Sequence, residues 1–257
     1  MTIHPQQIYT SPEFYNVYMF LQKDEKSKFD FISIKEFLLT LFLMFSVTIF
    51  SFIFVPISLK KTFPTYSHFF NLRYFDVFVF FLSAALSFYI IYLFCCKRKQ
   101  RTLKEGLFFY PVSKRVLIFS ILIGVIMPLC TIPIMFKFAP HEFFAMDMAK
   151  TNDGIVYLFT CALFAPVFEE VFYRGFIFPF FQSKLNSFWA VLITALFFGF
   201  SHFMNIGNAH ILVSLFIFYG FVLTLSRYLT NSLIPPIITH FFHNLTLIGC
   251  FLYLSNL

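Results

Sequence analysis

Two adjacent glutamates and an arginine interrupt a strongly apolar stretch, APVFEEVFYRGFIFPF, which runs from residue 165 to residue 180. Neighbouring residues on a helix are turned by ~100°, so Glu169 and Glu170 point in different directions. Glu170 and Arg174 are four residues apart and can form an ion pair on one face. Glu169 is left without a local cation. Carboxylates at membrane depth are costly and are functional candidates by default, so Glu169 is the first candidate for chemistry.

Two further apolar stretches carry polar side chains at helical spacing. In FFGFSHFMN, Phe198 and His202 are four residues apart, and in PPIITHFFHNL the same spacing separates His240 from Asn244. With a rise of ~1.5 Å per residue, Glu169 and both histidines would lie within about 10 Å of the membrane midplane. The sequence therefore predicts a buried polar chamber between three helices.

A carboxylate, two imidazoles and an amide are suited to hydrolysis of an amide bond by an activated water molecule, because this reaction needs a base and donors for the developing oxyanion. Zinc is an alternative, since two histidines and a glutamate can form a three-ligand site. The absence of an HExxH motif and the presence of Asn244, a poor zinc ligand, disfavour it. Ser201 is an alternative nucleophile, but its position next to His202 on a helix turns it away. No cofactor is expected.

The composition indicates a membrane protein. Of the 257 residues, 59% are hydrophobic and 12% are charged, whereas soluble domains carry roughly 25% charged residues. Several apolar runs reach the roughly 18 residues that a membrane crossing requires. The runs are continuous instead of alternating, which favours helices over a closed barrel. The predicted fold class is all-α, a polytopic transmembrane helical bundle.

Seven spans are predicted in a single transmembrane domain that covers residues 36–257, with the polar motifs within 154–250. Residues 1–35 are predicted as a cytosolic or interfacial segment, and an eighth helix around KFDFISIKEF is an alternative. The predicted spans are 36–59, 74–96, 116–136, 154–181, 187–207, 210–228 and 233–254.

Lysine and arginine predict the orientation, because they accumulate on the cytosolic side of membrane proteins. They are concentrated before the first span and after the second, at 97–104 and 114–115. This places the N-terminus in the cytosol. The net charge of +7 is then a topology signal, so membrane lipid is the expected partner and nucleic acid is not. The length and short connections favour a multi-pass protein of the bacterial inner membrane.

Taken together, the three motifs resemble those of the CAAX-protease and bacteriocin-processing (CPBP, or Abi) family of intramembrane glutamic endopeptidases. Their order and their location in apolar segments are also similar. The resemblance covers about residues 150–250. The motifs are Glu169-Glu170-x-x-x-Arg174, Phe198-x-x-x-His202 and His240-x-x-x-Asn244.

The resemblance implies a role for each motif residue. Glu169 would be the general base that activates a water molecule, assisted by His202, and His240 and Asn244 would stabilise the oxyanion. The implied substrate is a membrane-associated protein or peptide, with or without a lipid modification. The implied supporting residues are Glu170, Arg174 and Phe198.

Two other functions remain open on the sequence alone. A non-catalytic immunity or assembly factor could keep the same fold and use the polar chamber to bind a partner. A transporter or proton relay would also place Glu and His inside the membrane. The sequence shows no inverted repeats or paired broken helices, which disfavours transport.

Overall fold

The computed structural model describes residues 31–69, 73–138, 148, 150–203 and 211–255. In these residues every regular element is a helix, and no strand is present. The predicted all-α class is therefore confirmed. The predicted N-terminal segment falls largely on residues 1–30, which lie outside the described residues.

Seven long helices and one short helix form the described bundle, and six of them are long and apolar enough to cross a membrane. Three π-helical turns occur, at Phe50–Phe54 in α1, Leu93–Lys97 after α2 and Tyr173–Ile177 in α5. The helices are α1 (Ile34–Thr62), α2 (Arg73–Tyr92), α3 (Leu103–Gly106), α4 (Lys114–Phe138), α5 (Asn152–Lys184), α6 (Ser187–Ser201), α7 (Ile211–Thr230) and α8 (Ile234–Ser255).

The fifth predicted span differs most from the observed helix. The sequence predicts a span over residues 187–207, but α6 ends at Ser201 after 15 residues. His202 is the C-cap residue, with φ −88° and ψ −5°. The expected continuation over residues 204–207 lies outside the described residues. His202 is therefore presented from a helix end instead of a helix interior.

Capping residues explain where several helices begin. The Ser33 side chain accepts a hydrogen bond from the backbone of Glu36, and the Glu36 carboxylate accepts one from the Ser33 backbone. Thr102 and Glu105 form the same capping box at α3. Asn186 caps α6 by accepting from the Trp189 N–H. Each cap satisfies amides that have no partner inside the helix.

The helices that carry the polar motifs pack closely on their neighbours. α6 packs against α7, and α4 packs against α8. Gly199 lies where a Cβ atom would come within 2.9 Å of the Ile217 nitrogen, so α6 and α7 touch at the backbone. The Thr239 hydroxyl donates to the Ser120 carbonyl at 3.1 Å and joins α8 to α4. These contacts set the depths at which the motif residues lie.

Basic residues and loop contacts gather at one end of the bundle. Glu36 at the start of α1 lies 3.8 Å from Arg98 and 3.4 Å from Lys99, which follow α2. The Ser232 hydroxyl donates to the Tyr110 carbonyl at 2.6 Å, which ties the α7–α8 connection to the loop before α4. The main apolar cluster lies near this end, where the ring of Phe37 stacks on aromatic side chains of α5.

Candidate active site

Glu170 and Arg174 form the buried ion pair that their spacing predicts. Arg174 Nη1 lies 2.9 Å from Glu170 Oε1, and both side chains are fully buried. The guanidinium also donates to the Thr224 hydroxyl at 3.2 Å and to the Gly220 carbonyl at 2.9 Å. These two bonds attach the glutamate helix α5 to α7. The pair therefore fixes the rotation of α5 about its own axis.

His240 binds the same carboxylate. Its Nδ1 lies 2.8 Å from Glu170 Oε1, and the ring is 3% exposed. Because a carboxylate oxygen can only accept, Nδ1 carries a proton. Nε2 then carries either a lone pair or the second proton of the ring. Arg174, Glu170 and His240 thus form a continuous chain of charge-assisted hydrogen bonds. Its effect is to orient the His240 ring, with Nε2 directed towards Glu169.

Glu169 is the carboxylate that remains available. Its Oε2 lies 3.9 Å from His240 Nε2, too far for a direct hydrogen bond. This oxygen is buried and has no hydrogen-bond partner among the described residues. The side chain is 33% exposed and lines a cavity of about 170 Å³ between α1, α2 and α5. Glu169 therefore faces open space on one side and His240 on the other.

The rings of His202 and His240 both lie next to the ring of Phe198. The Phe198 centroid is 4.7 Å from that of His202 and 5.8 Å from that of His240. His202 Nδ1 is 2.8 Å from the Phe198 carbonyl oxygen. Because a carbonyl can only accept, Nδ1 is protonated and Nε2 is free to act as a base. Phe216 stacks on His202 with the ring centroids 4.5 Å apart and holds the imidazole in place.

The remaining motif residues differ in how closely the structure ties them to this group. Phe198 is 1% exposed and packs under the Arg174 guanidinium, 4.5 Å from the ring centroid. Asn244 lies one turn beyond His240 on α8 and is half-buried. Its amide makes no hydrogen bond within the part of the chain that the structure describes. The structure thus brings the other motif side chains together around Glu170 and Phe198, and Asn244 follows His240 by one turn on α8.

Ser201 has a different role from the nucleophile considered in the sequence. Its hydroxyl donates to the Phe198 carbonyl at 2.8 Å and accepts from the Tyr173 hydroxyl at 2.7 Å. His202 Nδ1 is 3.3 Å away, but it is already protonated towards the carbonyl and cannot accept the serine proton. Ser201 instead connects α6 to Tyr173 on α5, one turn beyond Glu169.

Sequence reasoning missed the partners that hold the motif residues. Thr224 and Gly220 accept hydrogen bonds from Arg174, and Tyr173 donates one to Ser201. A signal was present for Tyr173, which is four residues after Glu169 and shares its face. On α7, Gly220 and Thr224 are four residues apart in an apolar span. This spacing indicated a polar contact but did not indicate which helix would make it.

No group of three or more His, Cys, Asp or Glu side chains within the described ranges has a geometry that could hold a metal ion.

Residues 151–246 match the model of a family described as Rce1-like, "Type II CAAX prenyl endopeptidase Rce1-like". The matched residues contain all three motifs, so the predicted family resemblance is confirmed for the part of the chain that carries it. The matched segment is similar to this family of CAAX-type endopeptidases, and the six long apolar helices indicate an integral multi-pass membrane protein. A lipid environment follows from these helices. The chain has no match among curated proteins and none among solved structures.

Proposed function

We propose that this protein is an intramembrane endopeptidase that cleaves a membrane-associated protein or peptide with a water molecule activated by Glu169 and His202. The observation that carries the proposal is the 3.9 Å separation between Glu169 Oε2 and His240 Nε2. The two groups face each other without bonding directly. A water molecule can bond to both groups, and a substrate can reach them from the Glu169 cavity.

In the proposed reaction, Glu169 takes a proton from water and the resulting hydroxide attacks the scissile carbonyl carbon. His202 Nε2 assists, since its Nδ1 is already committed to Phe198. As the C–N bond breaks, the leaving amine takes the proton from the Glu169 carboxyl. A general base of this kind typically contributes about 10²–10⁴ in rate.

The oxyanion would be stabilised by His240 and Asn244. His240 donates from Nε2 in its doubly protonated form, in which Nδ1–H remains on Glu170. The Asn244 amide, which has no hydrogen bond within the described ranges, supplies a neutral donor when a substrate occupies the site.

The proposed mechanism uses no metal ion. The positions of Glu169 and His240 along their predicted spans put the reaction on the cytosolic side of the bilayer centre. The N-terminus then lies in the cytosol, as the distribution of basic residues predicts, and the membrane is the bacterial inner membrane, as the length and short connections predict. A lipid-modified substrate suits the site because the cavity beside Glu169 is mostly apolar. Its lining includes Met44, Phe88 and Ile91.

Terminal proteomics of membranes tests the proposal for every substrate that the cells contain. Cells that produce the wild type are compared with cells that produce Glu169→Gln, with Glu105→Gln as a control at an exposed glutamate on α3. We expect a set of new peptide termini in the wild type and in the control that Glu169→Gln abolishes. The same set of termini in all three strains would contradict the proposal.

A further inference from the structure

A second cavity lies behind the candidate active site, between α4, α7 and α8. Its volume is about 30 Å³, and its walls include Met127, Met135, Phe216 and Tyr219. One water molecule needs roughly 10–15 Å³, so the space fits one or two water molecules and nothing larger. The cavity is distinct from the one beside Glu169, which is bordered by α1, α2 and α5.

His243 lines this cavity and plays no part in the proposed reaction. Its ring is 8% exposed and stacks on Tyr219, with centroids 3.9 Å apart. Its Nδ1 is buried and has no hydrogen-bond partner in the part of the chain that the structure describes. Leaving an imidazole nitrogen unsatisfied at membrane depth is costly, because lipid offers no substitute partner. A buried water molecule is the usual remedy.

We propose that this cavity is a binding site for one or two water molecules held by the His243 imidazole. Thr131 supplies a second polar group, since it lines the cavity and its hydroxyl oxygen can accept as well as donate. A rotation of the imidazole by half a turn about its Cβ–Cγ bond leaves the shape of the ring unchanged. It exchanges the positions of the ring nitrogens and carbons. Either ring nitrogen can therefore face the water.

The site adjoins both candidate catalytic imidazoles. Phe216 lines the cavity and stacks on His202 with an interplanar angle of 12°. Tyr219 lines it as well and faces the His240 ring edge-on at 5.5 Å. One layer of aromatic rings thus lies between the bound water and the proposed reaction centre. If the proposed function holds, the bound water supports the two rings, Phe216 and Tyr219, that contact the candidate catalytic imidazoles.

Radiolytic hydroxyl-radical labelling of the whole protein in lipid nanodiscs tests the water site without any assay of activity. Radicals form from water at the site, so Met127 and Met135 should be oxidised although lipid surrounds the bundle. Met148 is the matched control, because it is buried among apolar side chains of α5 and α8. We expect Met127 to be oxidised at least three times faster than Met148.

Substitution separates the site from general access of water. His243→Phe keeps a ring on Tyr219 and removes both nitrogens, and Thr131→Val keeps the shape and removes the hydroxyl. Each should reduce oxidation of Met127 at least twofold, whereas His68→Phe at an exposed position should leave it unchanged. Equal oxidation of Met127 and Met148, or no reduction in either variant, would overturn the water site.

Cleavage kinetics test this supporting role separately. His243→Phe should lower kcat several-fold while KM stays unchanged, because the substrate does not touch this cavity. Reduced labelling with an unchanged kcat would overturn the supporting role alone. If neither the wild type nor any variant cleaves a substrate, the proposed function fails. The labelling result still decides whether water binds at His243.

Discussion

At the scale of single residues, Arg174 is the side chain on which the buried charges depend. Its guanidinium neutralises Glu170 and bonds to two groups on α7. Removing one partner of a buried ion pair leaves an uncompensated charge and costs about 3–5 kcal/mol. We expect Arg174→Met to lower the free energy of unfolding by about that amount, measured by denaturant titration in detergent micelles.

Arg98→Met provides the matched control for this prediction. Arg98 also lies near a glutamate, Glu36, but at 3.8 Å and with a side chain that is 59% exposed. Exposed ion pairs contribute about 0–1 kcal/mol. Equal losses of stability in the two variants would show that the contribution of the Glu170–Arg174 pair to the free energy of unfolding does not depend on its burial.

Tyr173 is expected to position His202 relative to Glu169. Its hydroxyl bonds to Ser201, the residue before His202, and its backbone lies one turn from Glu169. Tyr173→Phe should therefore lower kcat about tenfold and leave KM unchanged. Ser201→Ala should have the same effect, and the double variant should be no slower than either single one, because both break the same bond.

Tyr74→Phe is the control for Tyr173→Phe. The Tyr74 hydroxyl also bonds to a side chain of α5, Asp153, at 2.9 Å, but at the start of α5, about four turns before Glu169. Both variants lose one interhelical hydrogen bond, worth roughly 0.5–1.5 kcal/mol. If the two variants slow cleavage equally, Tyr173 acts only through stability.

Much of the candidate site could be predicted from residue spacing. The Glu170–Arg174 pair and the shared face of Phe198 and His202 follow from helix geometry, and the structure has both. The hydrogen bond from His240 to Glu170 could not be predicted, because it depends on how α5 and α8 are rotated towards each other. That rotation is set by packing between helices, which no local pattern encodes.

At the scale of helices, Gly199 allows α6 to approach α7. A Cβ atom there would come within 2.9 Å of the nitrogen and 3.0 Å of the Cα of Ile217, so alanine would force the backbones apart. Overpacking of this kind costs about 1–3 kcal/mol. Since α6 ends next to His202, we expect Gly199→Ala to reduce both the free energy of unfolding and the rate of cleavage.

Gly249→Ala on α8 is the corresponding control. No atom lies within 4 Å of a Cβ built at this position. Alanine should therefore leave the packing unchanged and stabilise the helix by up to about 1 kcal/mol. A loss of stability as large as that in Gly199→Ala would contradict the packing argument.

The positions of most helices were predictable, because a long apolar run with polar ends leaves little choice in where a helix begins and ends. The predicted third span, 116–136, corresponds to α4 at Lys114–Phe138. It carries Pro128 and Pro133 without a break in the helix. The early end of α6 at Ser201 was missed, because apolar residues at 203, 204 and 206 extended the predicted span. The end is stabilised by hydrogen bonds of the Ser201 and His202 side chains, which hydropathy does not report.

At the scale of the whole molecule, the basic end of the bundle is predicted to face the cytosol. Lys104, on α3, and Lys61, near the end of α1, are exposed and lie on opposite sides if α1 crosses the membrane. In a background without the native cysteines, a membrane-impermeant maleimide should label Lys61→Cys in intact cells and Lys104→Cys only after permeabilisation. The reverse pattern would invert the predicted topology.

The most direct test of the central claim is cleavage by the purified protein in liposomes. Quenched fluorescent peptides with a C-terminal CAAX sequence, prenylated or not, are incubated with the wild type, Glu169→Gln and Glu105→Gln. We expect the wild type and Glu105→Gln to cleave at equal rates and Glu169→Gln to be at least about 100-fold slower, with unchanged thermal unfolding. Cleavage by Glu169→Gln at the wild-type rate would contradict the assignment of Glu169 as the base that activates water.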